Sequence, residues 1–197
     1  MAAEYDDEKS GSGWGPGGGR PYVGLFALIL FVGAVVVAAV AVGIPKWAAQ
    51  ETNLYNEKRI GVFQQCTEQK NGKTTCESIS GIQCSSTTCD TMKTRLTAIG
   101  ALMIVGTILS LVSAVLCCPG IQMHRISCIV GIVAGVLYVI AVVLFATIDR
   151  NFNNFFFNNG CFSTSFGCAI AALFLVWCAS VVAGIASREP EEEEEEE

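Results

Sequence analysis

Four cysteines, Cys66, Cys76, Cys84 and Cys89, fall within 24 residues of one another in a polar stretch of the chain. Thiols this close can form disulfides or hold a metal. Structural zinc sites pair their ligands two to four residues apart, whereas the gaps here are nine, seven and four residues and the lone histidine, His124, lies elsewhere. Disulfide chemistry fits better, and it requires an oxidising compartment. Asn71-Gly72 lies between the first two cysteines. That dipeptide is the strongest short hairpin signal, and a turn there brings Cys66 and Cys76 to facing positions. Cys84 and Cys89 can close a second small ring, which leaves Cys161 as the odd cysteine outside the spans. Cys117 and Cys118, at the edge of an apolar run, are candidates for reversible palmitoylation. The same polar stretch carries Lys46, Lys58 and Arg59, cations that would set ion preference if this segment lined a pore. No paired carboxylates and no Ser/His set suggest catalysis, so no enzyme, metal or cofactor is expected, and nothing points to nucleic acid.

The elements that position these residues are apolar and long. The chain has 197 residues, 52% hydrophobic and 15% charged; soluble domains carry about 25% charge. The deficit is concentrated in four charge-free runs, 22–44, 96–118, 126–148 and 162–186. Each exceeds the roughly 20 residues needed to cross a bilayer, and none shows the charged face of a soluble bundle helix. The reading is an all-α membrane protein: a four-span domain over 21–187 with loops at 45–95 and 149–161. It is flanked by a glycine-rich disordered tail (1–20) and a polyglutamate tail (188–197). Both tails are solvated because like-charged or glycine-rich segments bury too little to offset their ordering entropy.

Four crossings put both termini on one side and both larger loops on the other. Lys and Arg number seven in the first loop and four in the termini and the 119–125 turn together, which opposes cytoplasmic termini under the positive-inside rule. The clustered cysteines outweigh that count, because a loop that folds as a domain crosses despite its charge. The expected location is therefore the plasma membrane, with both termini cytoplasmic. The absence of ionisable groups from the spans argues against a pump or proton relay. Gly131 and Gly135, with Gly167, suit close helix packing, and Phe155-Phe156-Phe157 suit the interfacial belt.

The loop pattern Trp47, Gly61-Val62-Phe63, Cys66 and Cys76 resembles the first-loop signature of claudin and peripheral-myelin-protein type tetraspans. Arg95-Leu96-Thr97-Ala98, Leu116-Cys117-Cys118, Cys128 with Val130-Gly131-Ile132, and Phe166-Gly167 with Val176-Trp177 are most similar to amastin-like surface proteins. The resemblance implies a left-handed four-helix transmembrane bundle with a small disulfide-stapled, β-rich extracellular loop domain, in which Trp47, Gly61 and Phe63 are packing anchors. It also implies a non-enzymatic surface role in contact, adhesion or membrane organisation. The partners would be the lipid bilayer and either lateral copies of the chain or other surface proteins. A claudin-like channel or barrier is the alternative.

Overall fold

The computed structural model describes residues 20–50, 57–83, 87–118, 123–152 and 161–187. The two tails, Cys84 and the Phe155–Phe157 segment lie outside them, as does the side chain of Cys161. Four helices, α1 (Arg20–Gly43), α2 (Thr87–Leu116), α3 (His124–Phe152) and α4 (Thr164–Ala186), are each long and apolar enough to cross a membrane. Between α1 and α2 run β1 (Ala48–Gln50), β2 (Glu57–Ile60), β3 (Gln64–Glu68), β4 (Thr74–Ser78) and a 3₁₀ turn at Ile79–Gly81. A fifth strand, β5 (Cys161–Phe162), precedes α4.

The helices pack on a seam spaced by alternate threes and fours. The seam runs through buried positions 27, 31, 34, 38 and 41 in α1, 96, 99, 103, 106, 110 and 113 in α2 with 117 just beyond it, 127, 131, 134, 138, 141, 145 and 148 in α3, and 165, 169, 172, 176, 179 and 183 in α4, with 24, 92, 100, 114, 135, 166 and 180 buried alongside it. A 3.5-residue recurrence is the seam of left-handed packing. Its residues are chosen by size. α1 buries Ala27, Ala34, Ala38 and Ala41, and α4 buries Ala169, Ala172, Ala179 and Ala183, which lets backbones approach closely. The outward faces carry large apolar side chains such as Ile129 and Val181, both more than 60% exposed. Such faces suit hydrocarbon and would be a liability in water.

Hydroxyl groups join α2 to α3. Tyr138 Oη donates to Thr107 Oγ1 at 3.2 Å, and Ser127 Oγ donates to the Ser113 carbonyl at 2.8 Å. The Tyr138 ring lies over Gly106, where a Cβ would fall 2.8 Å from it.

α2 begins at Thr87, nine residues before the charge-free run. Asp90, Lys93 and Arg95 occupy these first turns; 30 helical residues extend about 45 Å, longer than the roughly 30 Å of a bilayer's hydrocarbon. α3 likewise continues to Phe152, past the expected end at 148.

The sheet has the order β4-β3-β2-β1-β5 and is antiparallel throughout. Because β5 pairs with β1, the segments after α1 and before α4 share one side of the bundle, as four crossings require. The β3–β4 hairpin turns through three residues rather than two. Gln69 N donates to Lys73 O and Gly72 N to Gln69 O, both at 2.9 Å, and Gly72 has φ +79°. A turn followed by a left-handed residue is the three-residue hairpin, and glycine takes that φ without a Cβ clash.

Candidate functional site

The sheet is fastened to the bundle at Trp47. Ala41 is near the end of α1, where its carbonyl would ordinarily accept from the amide of residue 45; that residue is Pro45 and has no N–H. The Trp47 indole Nε1 supplies the missing donor at 2.6 Å. Trp47 is fully buried, with its ring 4.9 Å from Phe145 of α3 and 6.1 Å from Phe166 of α4. Its backbone N–H donates to Ile60 O (2.9 Å) and its carbonyl accepts from Ser163 N (3.0 Å). One residue thus ties α1, α3, α4, β2 and the β5 end together. Beside it, Ser165 Oγ donates to Ile44 O at 2.9 Å.

The other expected anchors lie in the same junction. Gly61 is buried where a Cβ would come within 2.6 Å of Pro45 Cα. Phe63 rests on α2 at Gly100, where a Cβ would be 2.6 Å from ring Cε1. Val62 and Ile79 are buried around them. Lys93 Nζ reaches back from α2 to the carbonyls of Ser80 (2.7 Å) and Ile82 (3.4 Å), clamping the 3₁₀ turn.

Cys66 and Cys76 stand opposite each other in β3 and β4 and form a disulfide. Cys89 is also disulfide-bonded, while Cys84 lies outside the described residues. Disulfide sulfurs cannot serve as thiolate ligands, which removes the zinc alternative for Cys66, Cys76 and Cys89.

Glu57 and Glu68 face each other across β2 and β3, a pairing of like charges that destabilises a sheet. Arg59, two residues along the same face, resolves it. Its Nε donates to Glu57 at 2.7 Å and its Nη2 to Glu68 at 3.0 Å, with a further contact to Glu57. The Arg59 hydrogen bond holds the Glu57 carboxyl below its ordinary value, aided by the Arg59 and Lys46 charges against a smaller opposing effect of burial. The same bond raises Arg59. Lys58 is half-buried, and loss of solvent pulls its ammonium below the usual value. Of the three cations expected to set ion preference, Arg59 is therefore occupied by carboxylates, Lys58 is partly desolvated and Lys46 is half-buried. None of the three is fully exposed.

At the other end of the bundle the two adjacent thiols differ. Cys117 is buried, its Sγ 3.0 Å from Ser127 Oγ. Since that hydroxyl already donates to Ser113 O, the thiol donates to it. Cys117 is thus not presented for acylation, whereas Cys118 is half-exposed. The glycines also divide. A Cβ on Gly131 would collide with Ser180 Oγ and lie 2.8 Å from the Phe31 ring, and one on Gly135 would collide with the Trp177 indole. A Cβ on Gly167 would meet nothing within 4 Å, so Gly167 is not a packing glycine; α4 approaches its neighbours through alanines instead. Sequence reasoning missed Gly100, Gly106, Lys93, Phe145 and Phe166. Gly106 sits on the α2 seam and was findable by size periodicity; Gly100 lies beside the seam under Phe63, and it, the aromatic pair and the lysine carried no local signal.

Among the described residues, no group of three or more His, Cys, Asp or Glu is placed to hold a metal. No protein-family model matches the chain, and no curated protein matches it.

Proposed function

We propose that the chain is a non-enzymatic surface tetraspan of the claudin and peripheral-myelin-protein type, closest to amastin-like surface proteins. On this reading it sits in the plasma membrane with both termini in the cytoplasm and acts in cell-surface contact or membrane organisation through its sheet. The observation that carries the reading is the mounting of the sheet. Trp47, Gly61 and Phe63 fix one side of it to the bundle, while β4 and the 70–73 tip are wholly exposed. A rigidly held polar platform beside a bilayer suits recognition by another macromolecule, because little ordering entropy remains to be lost on binding. The Cys66–Cys76 disulfide supports an exoplasmic sheet, since such bonds persist in oxidising compartments. The engagement of Arg59 by Glu57 and Glu68 favours contact over a cation-lined pore.

The test places an epitope at Asn71 in the hairpin tip. Antibody should stain intact cells, and the protein should concentrate at cell–cell contacts. Staining only after permeabilisation would overturn the topology. Contact enrichment no greater than that of a surface-delivered Cys66→Ser/Cys76→Ser variant would overturn the role of the stapled sheet.

A further inference from the structure

On the outer surface of the bundle, α3 and α4 enclose an apolar groove of about 470 Å³, a volume in the range of ligand pockets. Its floor is low because small side chains meet there. Ser180 and Gly184 of α4 lie against Cys128 of α3, whose Sγ would stand 3.3 Å from a Cβ on Gly184. Exposed Ile132 and Val181 form the walls, and Trp177, over Gly135, marks the inner end. The other end opens where α3 starts and α4 finishes. Arg125 stands there, one turn before Cys128 on the stripe 125, 128, 132 and 136. It is exposed and makes no ion pair among the described residues, and no carboxylate occurs in the preceding segment 119–124. The first N–H groups of α3 lie at the same level, where a helix has no intrahelical acceptors for them. From Arg125 to Val136 the helix rises about 16 Å, close to one leaflet's half of the roughly 30 Å of hydrocarbon.

We infer that this groove binds one acyl chain of an anionic phospholipid, with the lipid phosphate on Arg125. A groove facing hydrocarbon forfeits dispersion contacts if it stays empty, so a lipid chain fills it. The cation at its mouth decides which lipid. Guanidinium matches phosphate in geometry as well as charge, and the length of the groove satisfies head and chain together: phosphate at Arg125, chain along Ile132, chain end beside Trp177. A zwitterionic lipid brings no net charge to the same cation and gains less from it. On the topology proposed above this is the cytoplasmic leaflet, where anionic lipids are concentrated; the binding itself does not depend on that orientation. The rival anion is the chain's own Glu189 and Glu191–Glu197, which follow α4 in the sequence. The rival apolar occupant is a second copy of the chain.

The test reconstitutes full-length chain in phosphatidylcholine vesicles to which phosphatidylserine or phosphatidylcholine with brominated acyl chains is added. Quenching of Trp177 fluorescence is read against Trp177→Phe, which reports Trp14 and Trp47 alone. Both leaflets have the same composition, so the result is independent of orientation. Brominated phosphatidylserine should half-quench Trp177 at an about fivefold lower mole fraction than brominated phosphatidylcholine, the gain expected of one cation at the surface. The preference should shrink in high salt. Arg125→Gln should equalise the two lipids, and Arg125→Lys should keep most of the preference. Val181→Phe fills the groove, leaves Arg125 in place, and should also remove the preference. Equal quenching by the two lipids in wild type, a preference unchanged in Arg125→Gln, or one that survives Val181→Phe overturns the inference. Trp177 that neither lipid quenches gives the groove to a second copy, and a preference that emerges only when residues 189–197 are removed gives Arg125 to the tail; either result also overturns it.

Discussion

Replacing Trp47 tests the junction on which the sheet depends, and two substitutions separate its parts. Trp47→Ala removes a fully buried ring that meets Phe145 and Phe166; a buried Trp truncated to Ala costs about 3–5 kcal/mol. Trp47→Phe keeps most of the ring but deletes the donor to Ala41 O. Pro45 cannot replace that donor, so a buried carbonyl is left unpaired at a cost of about 1–3 kcal/mol. SDS titration of the protein in mixed micelles should therefore rank wild type above Trp47→Phe above Trp47→Ala. Amide exchange at Ala48 and Ile60 should quicken in the same order, because both belong to the sheet held down by this residue. The Cys66–Cys76 disulfide should still form, since hairpin geometry is local. A Trp47→Phe variant as stable as wild type would refute the account of the orphaned carbonyl. One as damaged as Trp47→Ala would refute the account of ring packing.

Two further outcomes are expected. Gly131→Ala should destabilise the bundle by about 1–3 kcal/mol, because the fully buried Phe31 ring cannot yield; Gly167→Ala should be neutral or stabilising by up to about 1 kcal/mol from helix propensity, both read by the same titration. The Arg59 cluster should contribute fully above pH 4.5, the ordinary value for a free Glu57 carboxyl, and fade as pH falls through its depressed folded value. Amide exchange in β2 should record that loss in wild type but not in Arg59→Met, and identical pH profiles for the two would refute it.

The spans were legible because length and absence of charge are read directly from the chain. Their packing faces were harder to see, since both sides of each helix are apolar and polarity carries no contrast. The contrast is in volume: Ala27, Ala34 and Ala38 inward, Ile29 and Val36 outward. The Cys66–Cys76 pairing was legible because spacing and turn residues are local. The turn itself differs by one residue, since Gly72 alone takes the left-handed conformation and Asn71 instead bonds Lys73 N through its side chain. The start of α2 was hidden because polar residues 87–95 read as loop, although Lys93 ties that helical end to the 3₁₀ turn. Gly167 misled because glycine in an apolar run looks the same whether or not a neighbour needs its space. The roles of Phe145 and Phe166 exist only once α3 and α4 are brought to the same indole.

The two halves of the bundle are joined by different forces. Hydroxyl bonds between α2 and α3 are directional and fix the vertical registry of that pair, because a shift of one helix along the other breaks them. Between α1 and α4 the directional ties are gathered at one end, where Ser165 Oγ donates to Ile44 O, Ser163 N donates to Trp47 O and β5 pairs with β1. The sheet hangs from that same end by Trp47, so the height and tilt of β4 are set where these two helices are pinned to each other, while their alanine faces leave the far ends joined by packing alone.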